Sequence, residues 1–350
     1  MDFVPLKVED LVDYLDDLVD CMNKGTLTTN TEPSVPAREA FHEFVEQELS
    51  NRRHKSSISR LRKFHNFIKK TLLENITQTH GGRINCLDIA VGRGGDMWKW
   101  NEVGIKTVFG FDKSKESITS INPLNQGAAE RYRANQDKLR VKIEYSVGDA
   151  VDPESNIVDK IYLFMRNHNL KGFELLSCQF AMHYFFESRE KLDLLFKRFS
   201  PLVLKGGYFM GTCADGKRIK SLPLNYTSPI LEIYRKKPTR SVYGNQYTFK
   251  INDTYDKGNY FNTMGESIEY LVDTAELIKV AKKYRFKPVF LNFFERIPGR
   301  NEYTKLNLIP DRTLDFMNFE EIYNFYPNQN LSAEELEVNK LYTTFIFVKV

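Results

Sequence analysis

The segment Ile84-Asn85-Cys86-Leu87-Asp88-Ile89-Ala90-Val91-Gly92-Arg93-Gly94-Gly95-Asp96 constrains the fold more than any other part of the chain. An apolar run ends in an acid and then in glycines, and the helix-compatible Met97-Trp98-Lys99-Trp100 follows. That is the strand, glycine loop and helix of a nucleotide-binding α/β unit. Glycine lets the backbone approach a ligand where a Cβ would collide, so Gly92, Gly94 and Gly95 mark a binding loop. A second short strand, Thr107-Val108-Phe109-Gly110-Phe111, ends in Asp112. It lies about twenty residues beyond the first glycine, where a carboxylate accepts hydrogen bonds from ribose hydroxyls.

The loop by itself does not choose a ligand. Dinucleotide oxidoreductases carry G-x-G-x-x-G so that a pyrophosphate sits on the helix N-terminus. This chain instead has Ala90-x-Gly92-x-Gly94-Gly95 flanked by Asp88 and Asp96. Two acids repel a pyrophosphate and suit a cationic ligand such as S-adenosylmethionine, with its amino group and sulfonium. A third acid, Asp149, follows the strand that starts at Arg140, where it can accept from an adenine amino group. The acids favour a methyltransferase over a dehydrogenase, and both over a plain structural sheet.

With 350 residues, 41% hydrophobic and 27% charged, the chain can bury one sizeable core. A net charge of +4 permits nucleic acid without demanding it. Cys21, Cys86, Cys178 and Cys213 are scattered, three of them in expected strands and none in a C-x-x-C pair, which argues for reduced thiols and against a zinc site. There is no signal peptide pattern and no long apolar run, so neither secretion nor a membrane span is expected.

In chain order, residues 7–22 read as an amphipathic helix and 25–36 as a linker, so 1–36 form an N-terminal appendage and 37–350 the main domain. From Arg38 to about Glu74 the pattern is helical and strongly basic, including Arg52, Arg53, His54, Lys55, Arg60, Arg62, Lys63, Lys69 and Lys70. Such a run is a solvated face or a phosphate-binding one. The continuous apolar run Gly172–Phe180 reads as a buried parallel strand. It leads into Ala181-Met182-His183-Tyr184, at the carboxyl end where open α/β sheets bind ligands. Residues 215–265 lack α/β alternation and read as an inserted lid; Glu269 to Lys283 reads as a helix. Strands follow at 287–294 and 341–348, the second closing an antiparallel edge hairpin. The class is α/β, a doubly wound sheet.

Asp88–Asp96, Ser177-Cys178-Gln179-Phe180-Ala181-Met182-His183-Tyr184-Phe185-Phe186-Glu187-Ser188, Gly206–Thr212, Tyr243–Phe249 and Glu269–Val272 together closely resemble the mRNA cap guanine-N7 methyltransferases. The glycine loop is common to every class I methyltransferase, whereas the Cys-Gln-Phe-Ala-Met-His-Tyr block is highly specific. The likeness covers about residues 60–350 and is greatest to the methyltransferase portion of multifunctional capping enzymes of large cytoplasmic DNA viruses. It implies a class I, Rossmann-like, mostly parallel seven-stranded sheet and a cytoplasmic setting, or a nuclear one for a cellular enzyme. Upstream guanylyltransferase and triphosphatase domains are expected partners in the same polypeptide. The Lys-x-Asp-Gly nucleophile of a guanylyltransferase is not found, since Cys213 precedes Ala214-Asp215-Gly216.

The resemblance also implies roles. Glu269 would accept from the guanine, His183 and Tyr184 would contact it, and Tyr342 would stack on it. Lys69 would meet the methionine carboxylate of S-adenosylmethionine, with Asp88, Gly92 and Asp96 forming the loop site. Asp112 would take the ribose, Asp149 the adenine, and Gln179 a pocket wall. Arg93 stands where a lysine contacts the cap phosphates. His65 and Asn66 lie in Phe64-His65-Asn66-Phe67-Ile68-Lys69, where the family has Phe-Asn-Asn-Trp-Ile-Lys and an asparagine touches the cap. Ala90-Val91 replaces the usual Gly-Cys, and Phe293-Phe294 stands where Phe-His is common. The rival readings are a catalytically silent cap-binding or scaffold module and another nucleobase methyltransferase. An adenine amine methyltransferase would need an Asn/Asp-Pro-Pro-aromatic turn, which Gln179-Phe180-Ala181-Met182 is not.

Overall fold

The structure is a computed structural model that describes Gln47 and residues 56–253, 267–290, 307–308, 317–324 and 326–350. The expected helix at 7–22, the linker, Arg52–Lys55 and Phe293-Phe294 lie outside the described residues.

Helix α1 (Ser59–Thr79) buries Leu61, Phe64, Ile68, Leu72 and Ile76, the three-and-four spacing of one helical face. Its N-cap, Ile58, offers no side-chain acceptor. Two buried acids from far along the chain do that work. Glu335 accepts from Leu61 N and Arg60 Nε, both at 3.0 Å, and Asp253 accepts from Ser56 Oγ at 2.6 Å and Arg62 Nη2 at 3.0 Å. Negative charge at a helix N-terminus also suits the helix dipole. Of the expected basic face, Arg60, Arg62, Lys69 and Lys70 are therefore occupied, since the two lysines pair with Asp96 and Glu102.

The main sheet contains β1 (Asn85–Ile89), β2 (Thr107–Asp112), β3 (Lys142–Val147), β4 (Phe173–Gln179), β5 (Val203–Ala214), β10 (Phe286–Phe290), β11 (Asn307–Leu308) and β12 (Tyr342–Lys349), in the order β11-β10-β12-β5-β4-β1-β2-β3. Strands β1 to β5 pair in parallel. β12 runs antiparallel to both β5 and β10 and lies between them, so the C-terminal hairpin closes inward and the short β11 extends the edge. This is the mostly parallel, seven-stranded Rossmann-like sheet that the family resemblance implied, with β11 added as an eighth strand.

Helices α2 (Met97–Glu102), α3 (Lys115–Thr119), α4 (Ala128–Arg133), α5 (Ile157–Asn167), α6 (Met182–Phe185) and α7 (Arg189–Phe199) connect these strands. Alternation along β5 serves two cores. Tyr208 and Met210 pack with α1, while Phe209 packs with Phe196, Phe286, Phe345 and Phe347. Each fully buried phenylalanine contributes roughly 1.5–3 kcal/mol. Gly211 is required where β5 meets β4, because a Cβ there would run into the Cys178 carbonyl and the Phe345 ring. Cys86, Cys178 and Cys213 are buried free thiols in β1, β4 and β5.

Between β5 and the last strands the chain forms α8 (Gly216–Ser221) and a second, antiparallel sheet of β6 (Asn225–Thr227), β7 (Leu231–Arg235), β8 (Gln246–Ile251) and β9 (Ser267–Tyr270). The helix expected from Glu269 starts later. Asp273 caps α9 (Thr274–Lys283) by accepting from Glu276 N, and Glu269 lies in β9. The period-two alternation of Ser267, Ile268, Glu269 and Tyr270 turns Glu269 inward and leaves Ile268 exposed. Helices α10 (Phe319–Tyr323) and α11 (Ala333–Asn339) each begin with a capping box, Asn318 with Glu321 and Ser332 with Glu335. No helix among the described residues is long and apolar enough to cross a membrane.

Candidate active site

A cavity of about 770 Å³ opens at the carboxyl ends of β1, β2, β3 and β4. It is lined by Gly92, Arg93, Asp112, Asp149, Gln179 and Tyr184 among the expected residues, and the second sheet contributes Ile268 and Tyr270. Each acid is held by backbone amides. Asp112 accepts from Gly92 N at 2.9 Å and from Ser114 N at 2.8 Å, while Asp149 accepts from Val151 N at 2.8 Å. Gln179 is fixed by the Thr212 hydroxyl, which donates to its Oε1 at 3.0 Å. Gly92 and Gly94 take positive φ, and a Cβ on Gly94 would come within 2.7 Å of the Tyr145 hydroxyl.

Ala90 shares that left-handed conformation with φ 57°. An L side chain there costs roughly 1–2 kcal/mol. Ala90→Gly is expected to raise stability by up to about 1 kcal/mol, checked by denaturant unfolding; a loss of stability would show that the Ala90 methyl packs favourably enough to outweigh the strain.

Asp88 and Asp96 do not line the cavity. Asp88 lies 2% exposed beneath the loop, and burial, with Asp96 adding to it, pushes its carboxyl up to about 8. Asp88 Oδ1 has no hydrogen-bond partner among the described residues. Asp96 is neutralised by Lys69 at 2.6 Å and Lys99 at 2.9 Å, and these lysines hold it well below the usual range against the cost of burial. Lys69 therefore engages an acid, with its ammonium 5.9 Å from the Phe180 ring centre. Arg93 bonds the Asn125 carbonyl and Glu116, both at 2.5 Å.

The expected guanine contacts gather behind one wall of the cavity. Glu269 is 3% exposed and accepts from the Tyr247 hydroxyl at 2.6 Å across the β8–β9 register. Burial raises its carboxyl to about 7, although the Tyr247 and Ser267 hydroxyls pull it back. His183 Nε2 stands 3.6 Å from Glu269. Burial lowers His183 to about 3, so the imidazole is neutral and the contact is not an ion pair. Neither ring nitrogen of His183 has a hydrogen-bond partner among the described residues. Tyr184 lies in the wall itself, with its hydroxyl 3.0 Å from Ser267 Oγ, and burial raises it to about 12.

Beside this group, His65 stacks on Phe180 at 5.3 Å and meets the edge of Tyr342 at 5.3 Å, and burial drops its pKa to about 3. Tyr342 is 3% exposed and packs against Phe180 and Phe319. Asn66 is exposed on α1 and is not brought to this cluster. The sequence reading missed Lys113, which lines the cavity with its ammonium 5.7 Å from the Tyr184 ring centre. It also missed the role of Tyr247, whose signal is its alternation in phase with Phe249, and of Phe180, which holds a left-handed φ of 54°.

Residues 26–350 match the mRNA (guanine-N(7))-methyltransferase domain. The chain is similar to the mRNA cap guanine-N(7) methyltransferase of Cryptococcus neoformans, 25% identical over 315 residues that cover 85% of this chain and 39% of that protein. It is likewise similar to the enzyme of that name in Schizosaccharomyces pombe, 27% identical over 84% of this chain and 76% of that one. For mRNA cap guanine-N(7) methyltransferase 1 of Arabidopsis thaliana the figures are 26%, 85% and 76%. The chain thus spans less than half the length of the fungal relative named first. Among solved structures, an S-adenosylmethionine-dependent methyltransferase from Clostridium acetobutylicum is similar at TM-score 0.46 and 14% identity, covering 89% of this chain and 99% of that one. With a family match running from residue 26 to the last residue, the chain belongs to the mRNA (guanine-N(7))-methyltransferase domain family.

Proposed function

We propose that the chain methylates N7 of the terminal guanine of capped RNA, with S-adenosylmethionine as the methyl donor. The observation that carries the reading is Glu269, a buried carboxylate beside Tyr184 and His183 behind the cavity wall. The cofactor fits what surrounds the cavity. Asp112 and Asp149 supply acceptors for ribose hydroxyls and an adenine amino group, the glycine loop lets the backbone approach, and Asp88 Oδ1 is an unpartnered acceptor beneath it. When bound, S-adenosylmethionine supplies an electrophilic methyl group on a sulfonium.

Guanine N7 carries a lone pair and no proton, so no side chain has to act as a general base. The work left to the protein is to hold the nucleophile in line with the methyl group. As the methyl group transfers, the guanine becomes cationic and its N1–H and N2–H₂ become stronger donors. Ionised Glu269 then accepts more strongly from the transition state than from the ground state. Neutral His183 and Tyr184 shape the pocket without adding positive charge next to that base. Glu269, His183, His65 and Tyr342 lie behind Phe180 and Tyr184, so this reading requires the wall to move when the cap enters. Phe180, held at a left-handed φ of 54°, lies in that wall. Arg93 and Lys113 at the cavity serve the cap phosphates, and Tyr342 serves as the stacking platform. Helix α8 and strands β6, β7 and β8 act as a lid on the base side. A cytoplasmic setting and upstream capping domains in the same polypeptide belong to the same proposal.

The test is calorimetric titration of GpppA into protein saturated with S-adenosylhomocysteine. Binding of GpppA with weak or no binding of ApppA supports guanine recognition, and equal binding of the two overturns it.

A further inference from the structure

We propose that the exposed tract made by the end of α8 and the β7–β8 loop binds the RNA strand beyond the cap, an inference that rests on the cap reading of the adjoining cavity. Between Gly216 and Asn245 the sequence holds seven Lys and Arg and one acid, Glu232, a surplus larger than the +4 of the whole chain. Glu232 is already engaged by Lys250 at 3.1 Å and Asn252 at 2.8 Å. Lys217, Lys220, Lys236, Lys237 and Arg240 are all exposed, and none has an ion-pair partner among the described residues. The two segments are tied into one surface, since Arg235 Nη2 donates to the carbonyls of Lys220 at 2.6 Å and Leu222 at 2.5 Å. Tyr234, 40% exposed, adds an aromatic face among these charges.

A basic track interleaved with an exposed aromatic ring is the chemistry that holds single-stranded nucleic acid. The loop is also shaped in advance. Buried Asn245 accepts from Thr239 N at 2.7 Å and donates to the Ser241 carbonyl at 2.7 Å. Its far end meets the cavity: Gly244 N donates to the Phe186 carbonyl at 3.0 Å, Leu271 N donates to the Asn245 carbonyl at 3.0 Å, and Glu187 and Tyr270 line the cavity. A strand whose 5′ guanine enters that cavity has this tract beside its exit. That placement favours RNA over an acidic protein segment, which has no reason to adjoin the cavity.

The experiment compares wild type with K236A/K237A/R240A on two substrates, the GpppA dinucleotide and a GpppA-capped single-stranded RNA. The variant spares Asn245, Thr239 and every residue placed at the cavity. Expected are unchanged kinetics on the dinucleotide and a KM for capped RNA raised about tenfold at moderate salt. The slope of log affinity against log salt should shrink by about 2, as three lost phosphate contacts on a single strand require. K236R/K237R/R240K should restore both. Equal KM for capped RNA in wild type and variant would overturn the proposal, and so would variants that differ equally on both substrates. Should wild type fail to methylate even the dinucleotide, the cap reading falls. The tract is then judged by fluorescence anisotropy of uncapped RNA, where equal binding by both proteins overturns it and weaker binding by the variant upholds an RNA surface.

Discussion

Glu269→Gln is expected to slow methyl transfer to cap guanine by about 10²–10³-fold and, above pH 7, to make the protein more stable than wild type. Both effects come from one buried carboxylate. The amide oxygen of glutamine still accepts from Tyr247, and its NH₂ can donate to His183 Nε2, so the fold is kept. What disappears is the negative charge that, on the proposed reading, meets guanine N1–H and N2–H₂ as the base becomes cationic. The stability gain follows from the raised carboxyl, about 7 in the folded protein against an ordinary 4.5. Between these values the native state holds a proton that the unfolded chain gives up, so wild type loses stability as pH rises from 4.5 to 7. Above pH 7 the ionised group costs about 3 kcal/mol, and glutamine removes that cost.

The melting-temperature gain of the variant should therefore be near zero at pH 4 and grow towards pH 8. Cap methylation by wild type should rise from pH 6 to 8 as Glu269 ionises, and the residual rate of the variant should lack this rise. Normal turnover by Glu269→Gln would remove the residue from the mechanism. A gain independent of pH would assign the stability effect to something other than charge.

Asp112→Ala should weaken S-adenosylmethionine binding about a hundredfold, by calorimetry at a temperature where the variant is folded. Two contributions add. On the proposed reading, a ribose hydroxyl bonded to this carboxylate contributes roughly 1.5–3 kcal/mol. Its oxygens also fix Gly92 N and Ser114 N, so the loop and the start of α3 lose their shared acceptor. Asp112→Asn keeps one acceptor oxygen and should fall between wild type and alanine. Unchanged affinity in Asp112→Ala would remove the residue from the cofactor site.

Much of this site is legible in the sequence because its elements are local. β1, its glycine loop and Asp112 fall within one unit, and the run that forms β4 leads straight to His183 and Tyr184. The partners that tune these groups are not local. Nothing near Asp96 announces that Lys69, from a helix ahead of the sheet, pairs with it, so the sequence presents this acid only as part of a cation site. The sequence puts Glu269 at a helix start because Thr274–Lys283 is so clearly helical. The four-residue strand before it is too short for its alternation to register, and only its register with Tyr247 shows that it faces inward. Strain is equally invisible, since the left-handed Ala90 and Phe180 follow from packing and not from residue type. The position of β12 inside the sheet edge depends on pairing between residues more than a hundred positions apart.

The measurement that bears most directly on this account is transfer of labelled methyl from S-adenosylmethionine to GpppA-capped RNA and to uncapped triphosphate RNA, with the modified base identified after nuclease digestion. The account predicts label in 7-methylguanine, from the capped RNA alone. Label in adenine, or equal labelling of the uncapped RNA, would contradict it.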